Sequence, residues 1–151
     1  MTKAEKKIEE QALALPMKWQ IKGVELVSLS LVAAQTTQPI QVFSFNIGVE
    51  FRAAPAEKLV FVIVPVKIYN NDAPTIEVGT ITVSCIYLIE NFEEFVNIDG
   101  GIVRLPKNYY ETLISVSVST TRGVMASSFK GTILNGATLP IVDPRGFIQP
   151  E

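Results

Sequence analysis

The 151-residue sequence is 48% hydrophobic and 19% charged, against roughly 25% charged in an average soluble protein, so a single domain can bury a full core and still leave apolar surface that calls for a partner. With no histidine and one cysteine, Cys85, the chain cannot build a Cys/His zinc site, a histidine-based triad or an internal disulfide. Thirteen basic and fifteen acidic residues give a net charge of −2, and the basic ones are scattered rather than striped, which argues against a phosphate-neutralising face and against nucleic acid as a partner.

Along residues 1–15, Ala4, Ile8, Ala12 and Leu15 fall near one side and Lys and Glu elsewhere, which predicts a short amphipathic N-terminal helix ended by Pro16. The opening MTKAEKKIEE mixes both signs and leads into no long apolar run, so it does not read as a secretory signal, and the chain is expected in the cytoplasm. From Trp19 to about Ala33 the pattern turns to period two, most cleanly in Val27, Leu29 and Leu31 against Ser28 and Ser30, predicting a half-buried strand. No charge stands between Glu25 and Glu50, but Ser28, Ser30, Gln35, Thr36, Thr37, Gln38, Pro39, Gln41 and Asn46 interrupt the run, and no membrane span is expected.

After the turn-like Gln35–Pro39, Phe43, Phe45, Ile47, Val49 and Phe51 alternate with Ser44, Asn46, Gly48, Glu50 and Arg52, a strand with one aromatic face and one wet face. Leu59–Tyr69 is apolar on both faces, as suits a strand covered on one side by its own domain and on the other by something else, and Pro65 predicts an edge position or a bulge. Following the turn Asn70–Pro74, Val78–Ile89 alternates again, with Cys85 read as a small buried hydrophobe. About four strands in series with short polar connections predict an antiparallel sheet that ends at the polar stretch Glu90–Gly101. Periodicity leaves Lys107–Thr121 open: Ile114, Val116 and Val118 alternate like a strand, whereas Tyr109, Leu113 and Val116 after Pro106 share a helical face. Gly123 predicts a helix stop with a further short helix over 124–130, and Pro140, Pro144 and Pro150 make Thr138–Glu151 an extended tail.

Few constellations carry chemistry. Glu90, Glu93, Glu94 and Asp99 are the one carboxylate cluster, and without calcium-loop spacing they read as a solvated connection. Thr121–Thr132 holds Gly, Lys and Thr in the wrong order for a phosphate-binding loop. The serines and threonines on strands lack a histidine base and read as water-facing positions, so no enzyme, metal or cofactor is expected. The remaining signal is an apolar surplus that asks for an oligomer interface or a groove for extended peptides.

In the last third, YYETLISVSVSTTRG (Tyr109–Gly123) resembles the helix of the SecB family of export chaperones and its SecB-like relatives, which starts near a Pro-Tyr pair and closes with Arg-Gly. ATLPIVDPRGF (Ala137–Phe147) is similar to the family's following extended stretch, and WQIKGVELVSLSL (Trp19–Leu31) to its opening strand. The resemblance spans most of the chain. It implies a single α+β domain over 1–151, a four-stranded antiparallel sheet with a helix packed on one face, and it assigns Tyr109–Thr121 to that helix. It further implies a homotetramer built as a dimer of dimers, acting without ATP as a holdase for unfolded polypeptides in protein export. A client groove lined by Ile102, Val103, Val124, Met125, Leu139, Ile141 and Phe147 would suit that use. Two departures stand out: the extra residues MASSFKGTILNG after Gly123, and a net charge of −2 where family members present an acidic sheet face and tail to the motor SecA. Docking to SecA is therefore not implied, and service to another client, such as the antitoxin of a toxin–antitoxin system, fits equally. Competing expectations are a carrier holding a small molecule or lipid in an apolar cavity, and a structural assembly subunit.

Overall fold

The computed structural model describes residues 2–3, 16–32 and 39–148. The expected N-terminal helix over 1–15 and most of the Gln35–Pro39 turn lie outside the described residues. The main sheet holds β1 (Trp19–Leu31), β2 (Phe43–Ile47), β3 (Glu50–Ala54), β4 (Leu59–Asn70) and β5 (Ala73–Ile89) in the order β1-β5-β4-β2, with β3 also on β4 and every pair antiparallel. Short α1 (Phe92–Phe95) leads to a hairpin of β6 (Asn97–Asp99) and β7 (Ile102–Arg104), and α2 (Lys107–Ser128) then crosses one face of the sheet.

The sheet thus has five strands where four were expected, because the single strand read over Phe43–Phe51 is split into β2 and β3. The register is nonetheless unbroken: Ile47 faces Val66 and Glu50 faces Ile63. Opposite the gap stands Pro65, whose carbonyl accepts from Gly48 N–H at 2.9 Å but whose ring nitrogen has no hydrogen to return. Pro65 itself is in a central strand, paired with Thr82 on its other side, so the expected edge position is corrected and the interruption falls on its neighbour.

The stretch Glu90–Gly101 carries more structure than a polar connection. Gly100 and Gly101 both take positive φ, +58° and +83°, the pair of conformations a two-residue hairpin turn requires. Asp99 and Arg104 close the hairpin at 3.7 Å.

In α2 the buried residues are Leu113, Ile114, Ser117, Val118, Thr121 and Met125, a helical stripe that overrides the strand-like alternation of Ile114, Val116 and Val118. The helix runs through Gly123, where a stop was expected, since that glycine keeps negative φ and meets no crowding. Against the helix, β4 presents Val60, Val62, Val64, Val66 and Ile68, and β5 presents Ile81, Val83, Cys85, Tyr87 and Ile89, all at most 1% exposed. Each such aliphatic side chain contributes about 1.5–3 kcal/mol by leaving water. The layer's polar atoms are partnered: Tyr87 Oη and Ser117 Oγ lie 2.7 Å apart, and Thr121 Oγ1 donates to the Ser117 carbonyl. Burial pushes both the Tyr87 phenol and the Cys85 thiol up from their ordinary pKa values.

Beyond α2 the tail is extended only in part. Turns occupy 129–136, Leu134 is buried, and a 3-10 turn forms over Pro144–Phe147. Arg122 fastens the tail to the helix, its Nε donating to the Leu139 carbonyl at 2.7 Å and Nη2 to the Pro140 carbonyl at 2.9 Å.

Candidate functional site

Strand β1 is the exception to the buried sheet. Residues facing each other across an antiparallel pair share a face. The register Ile21↔Tyr87, Val24↔Cys85, Leu26↔Val83, Leu29↔Ile81 and Leu31↔Gly79 therefore puts five aliphatic side chains of β1 on the inner, helix-covered side. All five are 40–49% exposed. Helix α2 packs on β4 and β5, and the inner side of β1 lies beyond its reach.

This row is made by two irregularities. Register shifts between Ile21 and Gly23 and between Leu26 and Ser28 each advance the strand by one residue. Plain alternation from Ile21 would have turned Gly23, Glu25 and Val27 inward, whereas the first shift brings Val24 and Leu26 in instead and the second restores the phase for Leu29 and Leu31, leaving Gln20, Gly23, Glu25, Ser28 and Ser30 on the outer side. The sequence reading that grouped Val27 with Leu29 and Leu31 is corrected accordingly: Val27 sits at the second irregularity, 57% exposed. Nor is β1 half-buried, for most of its residues are exposed.

Further exposed aliphatic residues stand past the end of the strand. Val32 N–H donates to the Val78 carbonyl and Asn71 N–H to the Val42 carbonyl, so Val32 and Val42 stand on opposite margins of the same end of the sheet, the end at which β5 opens, with Ile76 near its start. All three are exposed, as is Ile133 beside the buried Leu134. Leu134 wedges over Gly79, where a Cβ would stand 2.5 Å from Leu134 Cδ1 and 2.9 Å from the Ser30 carbonyl oxygen.

Of the seven residues expected to line a client groove, Val103, Met125 and Leu139 belong to the core and line no surface of the chain. Burial follows from their positions, on the inward side of the hairpin, on the buried stripe of α2, and under the Arg122 tether. Val124 and Phe147 are half-buried against the core, while Ile102 and Ile141 are exposed, Ile141 at 96%. In the sequence, the charge-free interval after Glu25 is the signal that runs through the β1 surface.

Acid–base chemistry has little to work with. Among the described residues no group of three or more His, Cys, Asp or Glu side chains could hold a metal ion. Ser127 and Lys130 stand at a Ser-Lys hydrolase spacing, but both are exposed, one in the last turn of α2 and the other in the turn after it, and no hydrogen bond joins them. Arg145 grips Asp143 through two oxygens and holds its carboxyl at about 2, a surface pair within one turn of chain.

No protein-family model and no curated protein matches this sequence. Among solved structures, the chain is similar to the Mycobacterium tuberculosis Rv1957 SecB-like chaperone in complex with a ChAD peptide from the Rv1956 HigA1 antitoxin, with a TM-score of 0.55, 12% identity, and coverage of 82% of this chain and 89% of that chain. The fold is SecB-like. At that identity the likeness concerns the path of the chain, an antiparallel sheet with a helix across it, and the SecB-like fold then supplies the frame on which the β1 surface is displayed.

Proposed function

We propose that the chain is a holdase of SecB-like type, which binds unfolded polypeptide segments without ATP and has no enzymatic activity. The observation that supports it most is the inner row of β1, five aliphatic side chains left 40–49% exposed on a face that the rest of the sheet buries. A non-native chain offers the same chemistry, apolar side chains in search of cover, and many shallow contacts over such a row give affinity without sequence preference. The likeness to a chaperone whose structure contains a peptide supports a polypeptide partner.

A homo-oligomer is part of the same reading. After Lys107 at its start, the exposed residues of α2 are Asn108, Thr112, Ser115, Ser119, Gly123, Ala126 and Ser127, with no Lys, Arg, Asp or Glu among them. Surface helices are normally charged on the side that meets water, and small uncharged residues allow a second helix to approach closely. On the outer sheet face, Glu25 and Glu50 are matched by Arg52 and Lys67 around Leu59, Phe61, Ile63, Ile86 and Leu88. Such a face gives no acidic field for SecA, so we place the chain in client holding in the cytoplasm rather than in hand-over to that motor. Among the described residues no helix is long and apolar enough to cross a membrane.

The test is light scattering of a chemically unfolded model protein on dilution, with and without this protein, alongside its mass by multi-angle scattering. Suppression without ATP near stoichiometric amounts, lost in Leu26→Lys/Leu29→Lys while the unfolding midpoint holds, is the expected result. Absence of suppression, together with one-to-one uptake of a small apolar ligand, would replace this reading with that of a carrier.

A further inference from the structure

We infer that Asn135 is a site of spontaneous covalent modification, at which the main-chain nitrogen of Gly136 displaces the side-chain amide as ammonia and water reopens the turn to aspartate or isoaspartate.

The sequence supplies the reacting pair. Of the seven asparagines in the chain, Asn135 alone is followed by glycine. A Cβ on the following residue shields its nitrogen and restrains the rotation that brings that nitrogen onto the side-chain carbonyl carbon, and glycine does neither.

The fold then leaves both groups unoccupied. The turn after α2 is held by its other members: Thr132 Oγ1 donates to the Phe129 carbonyl at 2.7 Å and accepts from Leu134 N–H, Asn135 N–H donates to the Thr132 carbonyl, and Ala137 N–H to the Leu134 carbonyl at 2.9 Å. Among the described residues no acceptor takes the Gly136 N–H, and the Asn135 side chain makes no hydrogen bond. Both residues are exposed. The turn after β4 shows the contrast. There the N–H after Asn70, that of Asn71, donates to the Val42 carbonyl at 2.9 Å, and the N–H after Asn71, that of Asp72, donates to Asn70 Oδ1 at 3.1 Å.

The step balances without oxidant, reductant or catalyst. A bond forms between the Gly136 nitrogen and Asn135 Cγ, the Cγ–Nδ2 bond breaks, and Nδ2 leaves as ammonia with the proton the nitrogen gives up. Solvent water opens the resulting cyclic imide. Cleavage at Cγ leaves aspartate in an ordinary main chain. Cleavage at the Asn135 carbonyl carbon leaves isoaspartate, whose main chain runs through Cβ and Cγ and is one carbon longer. Either product adds one negative charge.

Packing makes the two products unequal. Leu134 and Ala137, on either side of the pair, are buried, Leu134 over Gly79 of β5, and Gly136 lies beside Phe43 of β2. An extra main-chain carbon between two anchored residues opens the Ala137–Leu134 hydrogen bond or lifts Leu134 from Gly79, whereas aspartate places a charge in water. The isoaspartate form therefore unfolds at lower urea than the aspartate form.

The full-length protein is held in mildly alkaline buffer below its unfolding midpoint, and its tryptic peptides are followed by mass spectrometry. A gain of about 1 Da in peptide 131–145, resolved into two chromatographic products, is the expected result. This readout separates Asn135 from Asp99–Gly100, where the same ring closure and opening restores the starting mass. No gain in that peptide, or an equal gain in peptide 68–104 with its four asparagines, overturns the inference. Gly136→Ala, whose Cβ would stand at an ordinary 3.6 Å from Phe43 Cε2, should slow the gain severalfold, and an unchanged rate would show that the Gly136 nitrogen is not the attacking group. Asn135→Gln, confined to an exposed side chain, should abolish the gain, and a gain that persists overturns the site. Asn135→Asp should keep the urea midpoint of the unmodified protein while the isolated isoaspartate fraction falls below it; equal midpoints overturn the effect on Leu134.

Discussion

Tyr87 links the two layers of the core at one hydroxyl. Its Oη meets Ser117 Oγ at 2.7 Å, and Trp19 packs edge-on to its ring at 5.7 Å between centroids. Tyr87→Phe leaves the Ser117 hydroxyl buried beside a hydrocarbon edge and should cost about 1–3 kcal/mol in urea unfolding, much of which Tyr87→Phe/Ser117→Ala should recover. The same residue sets a pH dependence. Burial raises the folded-state pKa of Tyr87 and of Cys85, so above about pH 9 the unfolded chain releases protons that the folded chain retains, and stability falls as pH rises. The expected loss, up to about 1.4 kcal/mol per pH unit for each proton, is read from urea midpoints between pH 8 and 11 and should be smaller in Tyr87→Phe. At Gly79, an added methyl meets Leu134 Cδ1 at 2.5 Å and the Ser30 carbonyl at 2.9 Å. Gly79→Ala should therefore destabilise by about 1–3 kcal/mol, with Leu134→Ala relieving only the side-chain half of the clash.

At the scale of the element, the uncharged side of α2 is where the proposed oligomer can be tested apart from the stability of the single chain. Ser119→Glu on the uncharged side of α2 places a charge in water in the single chain and should leave thermal unfolding of that chain within about 0.5 kcal/mol, yet lower the mass of the oligomer in multi-angle scattering. A mass that stays the same would show that this side of the helix is not an interface. The sequence made most of the sheet legible because Ile81 to Ile89 alternate with a period of two and Leu59 to Tyr69 is a long apolar run, the mark of a strand covered on both faces. It did not make β1 legible in the same way, since two register shifts reset the phase and alternation alone groups Val27 with the wrong neighbours. Periodicity leaves α2 open for a related reason: Ile114, Val116 and Val118 alternate like a strand while Tyr109, Leu113 and Val116 share a helical face, and the longer set through Thr121 and Met125 decides between them only once the helix lies on the sheet. The expected groove failed at Val103, Met125 and Leu139 because an apolar side chain near the chain's end reads alike whether it faces a partner or its own core.

For the whole molecule, binding through an aliphatic row predicts a salt response opposite to that of a charge-steered partner. Client suppression should hold or strengthen between low ionic strength and half-molar sulfate, since excluded salts favour apolar burial while screening charge pairs. A steep loss with salt would point to the charged residues instead. The two margins of the sheet differ in kind. Along β2 and β3, Pro65 opposite Gly48 breaks the margin midway, and a neighbouring strand would find it in two short pieces. The margin at β1 runs thirteen residues without a proline. A molecule with one adhesive margin and one blunted margin can add a strand to itself once, after which neither free end invites another. Sheet extension through β1 would then stop at a pair instead of seeding fibres.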